Sequence, residues 1–244
     1  MSNLKVIPRP ASTLILTRDT SAGLQVFLMQ RSHQAVFMPG VFVFPGGVVD
    51  PMDASETMQS LCHGRDDLEA SRMLGVEQGG LAYLVAAIRE SFEEVGLLLA
   101  YDPQGDYIEI AEPGDVEYYA GLRERLNTEQ LTFADVFRYQ GLRAAVDELA
   151  LFSRWITPVG YPRRYDTWFF VAAAPERQLA VPDGQEAIDQ LWITPAEALE
   201  QSRRGILPVS PPTLSTLEEL SAFKTTAALL SHARRARTVE PIVQ

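Results

Sequence analysis

Apolar and polar positions along the first third of the chain come in short runs, and then shift to a helical period. Residues 13–16 and 26–29 are apolar runs separated by the turn-like stretch 19–23, and they predict two strands. Residues 41–44, set between Pro39-Gly40 and Pro45-Gly46-Gly47, predict a third. Over 81–99 the spacing predicts a helix. With Ile88 at zero on a helical wheel, Leu81, Leu84, Val85, Phe92 and Val95 fall within about 60° of it. Glu90, Glu93 and Glu94 fall at about 140–240°, so one side should be buried and three carboxylates should face solvent. Further helices are expected over 66–74 and 116–126, and strands over 152–156, 167–173 and 191–193. Thr194 caps the next helix and Pro195 occupies its first turn. Residues 208–212, with Pro at both ends, should break the chain before a last helix at about 215–237. Strands between unequal helices, without a regular βαβ rhythm, place the chain in the α/β class with a mixed sheet packed between helices.

The length of 244 residues suits one domain, 1–244, with helical insertions at about 50–80 and 102–150. With 46% hydrophobic and 22% charged residues, the composition is that of an ordinary globular chain. A net charge of −11 repels phosphate backbones and argues against nucleic-acid binding, though not against a small anion in a local pocket. The single cysteine, Cys62, excludes an internal disulfide and paired-cysteine zinc sites. No stretch of 18 apolar residues is present, so no membrane span is expected, and no signal-type segment opens the chain. The expectation is a soluble, cytoplasmic protein; a homodimer stays open.

The three glutamates carry the chemistry. Glu90 and Glu94 are an i,i+4 like-charge pair, unfavourable by about 0.2–0.5 kcal/mol even in water, and Arg89 can reach Glu93 to offset part of this. Two readings stay open: a solvated acidic face, or a seat for a hard divalent cation, Mg²⁺ or Mn²⁺. The surroundings favour the second. Gly46-Gly47 directly follows a predicted strand, where a backbone without side chains can approach a phosphate or metal closely.

These residues resemble the Nudix hydrolase family. The stretch Arg89-Glu90-Ser91-Phe92-Glu93-Glu94-Val95-Gly96-Leu97 matches the second half of the family's box, with Ser91 in place of the usual apolar residue. Phe44-Pro45-Gly46-Gly47 resembles its opening. Two departures stand out: 42 positions separate Gly47 from Arg89, where the pattern has 14, and Asp53 occupies the place of the box's first glutamate. A split box of this kind is similar to the coenzyme A diphosphatase branch found among animal peroxisomal enzymes, whose opening run matches 37–50. Arg31-Ser32, Gly40 and Phe44–Gly47 also fit a wider coenzyme A motif, whose second arginine is replaced by Val36.

The resemblance implies a Nudix-like α/β/α sandwich and Mg²⁺- or Mn²⁺-dependent hydrolysis of a nucleoside diphosphate derivative. Coenzyme A or an acyl derivative comes first, and ADP-ribose, NADH or a non-catalytic nucleotide sensor are the alternatives. It implies Glu90, Glu93, Glu94 and the Gly47 carbonyl as metal ligands, with Arg89 orienting the glutamates. Glu186, in the loop before the 191–193 strand, either takes the place of a loop base or extra ligand of that family or is an exposed loop carboxylate. Phe44 and Gly46, in the opening, go with substrate binding. Arg31 and Arg164 are phosphate candidates, because a guanidinium gives two parallel hydrogen bonds to an anion. Asp53 has three open roles: capping the displaced box, reaching the metal through water, or starting a helix. Trp155, Trp168 and Trp192 read as core, and His33, His63 and His232 form no metal spacing.

Overall fold

The computed structural model describes residues 6–35, 38–235 and 239–243. Its strands are β1 (Arg9–Thr20), β2 (Gly23–Arg31), β3 (Phe42–Val43), β4 (Gly46–Val48), β5 (Ala100–Tyr101), β6 (Arg143–Ala144), β7 (Ala150–Ile156), β8 (Tyr165–Ala173), β9 (Ala187–Ile193) and β10 (Ile242–Val243). Its helices are α1 (Glu56–Ser60), α2 (Asp67–Leu74), α3 (Gly80–Val95), α4 (Pro113–Asn127), α5 (Phe133–Gln140), α6 (Pro195–Arg203), α7 (Pro211–Leu220) and α8 (Thr226–Ala233). Among the described residues, eight strands form one sheet in the order β10-β7-β8-β1-β2-β3, with β4 paired to β1 and β9 paired to β2. β1 and β8 run parallel while β1 and β2 run antiparallel, so the sheet is mixed, as the pattern predicts.

The two-residue period of the strands sorts the core into two layers. Leu14, Leu16, Phe27, Met29, Trp168 and Phe170 face the layer built with α3 and the inserted helices. Their neighbours Ile15, Val26, Leu28, Phe169 and Val171 face the layer built with α6, α7 and α8. Helices thus cover both faces of an α/β sheet. Trp155 and Trp168 are buried, as expected, while Trp192 is half-buried with Arg18 over its ring. Among the described residues, no helix is long and apolar enough to cross a membrane.

Several boundaries differ from expectation for local reasons. The helix expected over 81–99 stops at Val95, because Gly96 takes a left-handed φ of 74° and its N–H closes back on the Phe92 carbonyl. Ser91 belongs to this stop: its buried hydroxyl donates to the Leu97 carbonyl, a task that the apolar residue usual at this box position could not perform. The strand expected over 41–44 is shortened to β3, because Pro45 has no N–H to continue a ladder, and the glycines after it, expected only as a boundary, form a separate strand, β4. The long last helix is two helices, α7 and α8, with Thr225 capping the second; Arg237, its expected end, lies outside the described residues, as does Val36. Pro211 and Pro212 do not precede a helix but begin one, in the first turn after the Ser210 cap.

The first insertion anchors the start of α3. Gly79, at the N-cap, has no side chain to offer, and α2 supplies the missing acceptors. Asp67 accepts the N–H groups of Gly79 at 2.9 Å and Leu81 at 3.0 Å, and the Ser71 hydroxyl accepts that of Gly80 at 2.9 Å. This requires backbone-to-backbone approach, since a Cβ on Gly80 would lie 2.6 Å from the Ala70 carbonyl carbon. Gly80→Ala is therefore expected to destabilise the protein by about 1–3 kcal/mol through overpacking. Urea denaturation measures this, and an unchanged midpoint would show that α2 moves aside freely.

Candidate active site

The outer face of α3 is largely covered. β4 crosses it, so Glu94 is 3% exposed, and the side chains of Glu90 and Glu93 are 12% and 22% exposed. The solvated acidic face is overturned, and the two glycines of the corner are the reason. The Gly46 N–H donates to Glu94 Oε2 at 2.9 Å. A Cβ on Gly46 would strike Thr13 Cα at 2.7 Å, and one on Gly47 would fall on the Glu90 carboxylate. Only a backbone stripped of side chains can lie this close to the acids.

Arg89 sits inside the resulting cluster, 11% exposed. Its Nη1 donates to Glu90 Oε1 at 2.9 Å and to Glu93 Oε2 at 2.7 Å. Its Nε and Nη2 donate to the two oxygens of Asp53 at 2.9 and 3.1 Å, and Nη2 also reaches the Val48 carbonyl at 2.8 Å. Asp53 accepts the Asp50 N–H at 2.8 Å as well, closing a capping box on the 3₁₀ turn Pro51–Ala54. The residue at the place of the box's first glutamate therefore starts a helical turn and grips Arg89 together. Sequence reasoning weighed the first role and missed the second.

Burial dominates the electrostatics. It raises the Glu90 carboxyl to about 7 against the opposing pull of Arg89, with Glu93 and Glu186 adding to the rise. Burial raises Glu94 well above its usual range, with the Glu90 charge next in weight, and it raises Glu93 and Asp53 as well. Burial alone would lower Arg89, but Glu90, Asp53 and Glu93 around it hold it above its usual range. Glu94 Oε1 is buried and has no hydrogen-bond partner. A buried carboxylate oxygen without a donor is costly, and a hard cation is the partner such an oxygen suits. Among the described residues, no three acidic, histidine or cysteine side chains already converge as a ligand set. Arg89 draws Glu90 and Glu93 to itself.

Two cavities meet at the cluster, sharing Glu90, Glu93 and Glu186 in their walls. The first, about 560 Å³, runs from Gly46 and Gly47 past Phe44 and Arg31 to an aromatic end formed by Trp155, Tyr161, Tyr165 and Phe169. The second, about 630 Å³, lies between α3 and the stretch 126–135 of the second insertion. Arg123 Nε and Asn127 Nδ2, both from α4, donate to the Glu93 carbonyl at 2.8 and 3.2 Å and tie that wall to α3.

The structure thus brings together Arg89, Glu90, Glu93, Glu94, Gly46, Gly47, Phe44, Arg31 and Glu186. Glu186 is exposed over the cluster, on a loop whose Asp183 side chain accepts its N–H at 3.0 Å. Arg164 stands apart. It is 8% exposed, and its guanidinium donates to the carbonyls of Thr157, Pro158 and Val6, so it braces the β7–β8 loop and lines neither cavity. The aromatic wall and the second cavity were not foreseen. Trp155 reads as core and is core, with one side left for the cavity, and 126–135 carries no motif.

The family model of the NUDT19 Nudix domain matches residues 68–220, which include the run from Arg89 to Leu97. The acyl-coenzyme A diphosphatase NUDT19 of Xenopus laevis is 26% identical over 84% of this chain and 62% of its own length. That of Homo sapiens is 28% identical over 88% of this chain and 65% of its own length. The match thus spans less than two-thirds of either relative. Among solved structures, a Nudix hydrolase from Alicyclobacillus acidocaldarius superposes with a TM-score of 0.75 at 26% identity, covering 97% of this chain and 99% of that one.

The burial of the cluster sets a pH dependence. Glu90, raised from 4.5 to about 7 in the fold, favours folding while it is protonated. That contribution is complete below the unfolded value and is lost as pH rises through about 7. Without divalent ions, the urea midpoint should fall from about pH 5.5 to about pH 8, and Glu90→Gln should flatten the fall. A midpoint that rises over this range contradicts the burial.

Proposed function

The chain belongs to the Nudix family described by the NUDT19 Nudix domain, and on that premise we propose that it hydrolyses the diphosphate link of a nucleoside diphosphate derivative with the help of Mg²⁺ or Mn²⁺. Coenzyme A or an acyl-coenzyme A is the first substrate, following the names of the relatives. The observation that carries this reading is the buried, unpartnered Glu94 Oε1 inside an acid cluster at a glycine corner.

Hydrolysis adds water across the P–O–P link, forming one P–O bond and breaking another. Glu90, Glu93, Glu94 and the Gly47 backbone would hold the divalent ion, which supplies charge neutralisation at the phosphate oxygens and a bound water of lowered pKa. Arg89 keeps Glu90 and Glu93 oriented through its grip on Asp53. Glu186 lines both cavities and would take the proton of the attacking water. Arg31, in the wall of the first cavity, would bind the diphosphate, since a guanidinium can hold two phosphate oxygens at once. The aromatic end, where Tyr161 is exposed and Tyr165 half-buried, would receive a nucleobase.

A second reading, a diphosphate such as ADP-ribose or NADH, draws on Val36 at the position of the coenzyme A motif's second arginine. Side-by-side kinetics with product identification separates the two. A nucleotide sensor without activity is disfavoured by the retained Glu90, Glu93 and Glu94, and would be favoured by no turnover on a broad panel with Mg²⁺ and Mn²⁺.

Glu94→Gln tests the reading directly. The amide oxygen can still accept the Gly46 N–H, so the fold should hold, while kcat should fall by about a hundredfold or more. An undiminished rate in the folded variant would refute the assignment.

A further inference from the structure

We propose that the cavity walled by the second insertion selects the arm that the diphosphate carries, admitting an uncharged arm rich in hydroxyl or amide donors and rejecting one that bears phosphate. The proposal rests on the hydrolase reading in one respect: it takes the diphosphate to lie at the glutamate cluster. Because both cavities share Glu90, Glu93 and Glu186, a diphosphate held there directs one of its two substituents into each.

The two cavities are chemically unlike. Among the described residues, the first is lined by three carboxylates and the guanidinium of Arg31, with an aromatic end. The second is lined by nine carboxylates against one guanidinium, Arg89, which Glu90, Glu93 and Asp53 already engage. Asp50, Glu129, Asp135 and Asp183 lie outside the trio assigned to the metal, so their charge is additional to it. Bonds from Thr132 hold Asp135 below the usual carboxylate range. Glu94, whose Oε1 has no partner, lines this cavity and not the first.

A carboxylate only accepts hydrogen bonds. An arm entering here gains bonds by bringing N–H and O–H groups, and an arm bearing phosphate meets like charge on several sides. Discrimination of this kind works through the repulsive element as much as the attractive one. The wall is also held in place: Arg123 donates from Nε to the Glu93 carbonyl and from Nη1 to the Val181 carbonyl at 2.7 Å. The segment that lengthens this chain between α3 and β7 thus supplies the surface that reads the arm.

The test compares two hydrolysis-resistant probes, α,β-methylene ADP-glucose and its glucose 6-phosphate counterpart, by calorimetric titration with Mg²⁺ present. The protein should bind the neutral-arm probe at least about thirtyfold more tightly. The double variant Glu129→Lys with Gln130→Lys, both on the exposed rim of the wall, should narrow the ratio below about threefold by tightening the phosphorylated probe. Glu117→Lys, exposed on α4 away from both cavities, should leave the ratio as it is. Equal binding of the two probes, binding of neither, or a ratio that the double variant does not move would overturn the inference. Discrimination without turnover of the parent diphosphates would retain it and sink the hydrolase reading instead.

Discussion

Arg89 lies where three segments distant in sequence have to meet: the glycine corner of β4, the 3₁₀ turn carrying Asp53, and the acid face of α3. Its five donated bonds reach Glu90, Glu93, Asp53 and the Val48 carbonyl. Three buried carboxylates would repel one another and resist desolvation, and one buried guanidinium among them makes the arrangement tenable. The same bonds fix the orientation of the side chains on which the proposed chemistry depends. A charge this heavily engaged contributes specificity of arrangement more than net stability, because its own desolvation is costly.

The split box follows from this constraint. Lengthening a loop raises its closure cost only logarithmically, so the excursion between Gly47 and Arg89 is tolerable provided its two ends are tied. Asp53 ties the first end to Arg89, and Asp67 and Ser71 tie the second by accepting the first amides of α3. The excursion is therefore closed by polar bonds at both ends, and the helix between its ends and the acid cluster keeps its register. The second insertion is anchored to the same helix through the Glu93 carbonyl, so both additions to the sheet converge on α3.

Much of this was legible in local patterns. The wheel of α3 separates its buried and acidic faces correctly, the strands of the sheet follow the apolar runs, and Thr194-Pro195 opens α6 as written. What escaped the sequence is non-local. Whether an acidic face is wet or covered depends on β4, which is paired to β1 and brought over α3 only by the sheet. Arg164 carries the same side chain as a phosphate binder, but three backbone carbonyls consume it. The wall at 126–135 acquires meaning only from the helix it faces. The start of the last helix expected from periodicity was misread because a proline pair looks like a break until Ser210 is seen capping it.

The most direct test of the account is the position of a bound ion. Crystals soaked in Mn²⁺ and measured at its absorption edge should show an anomalous peak beside Gly46 and Gly47, within reach of Glu90, Glu93 and Glu94, and the peak should vanish in Glu94→Gln. A peak elsewhere on the protein, or one that survives that substitution unchanged, would contradict it.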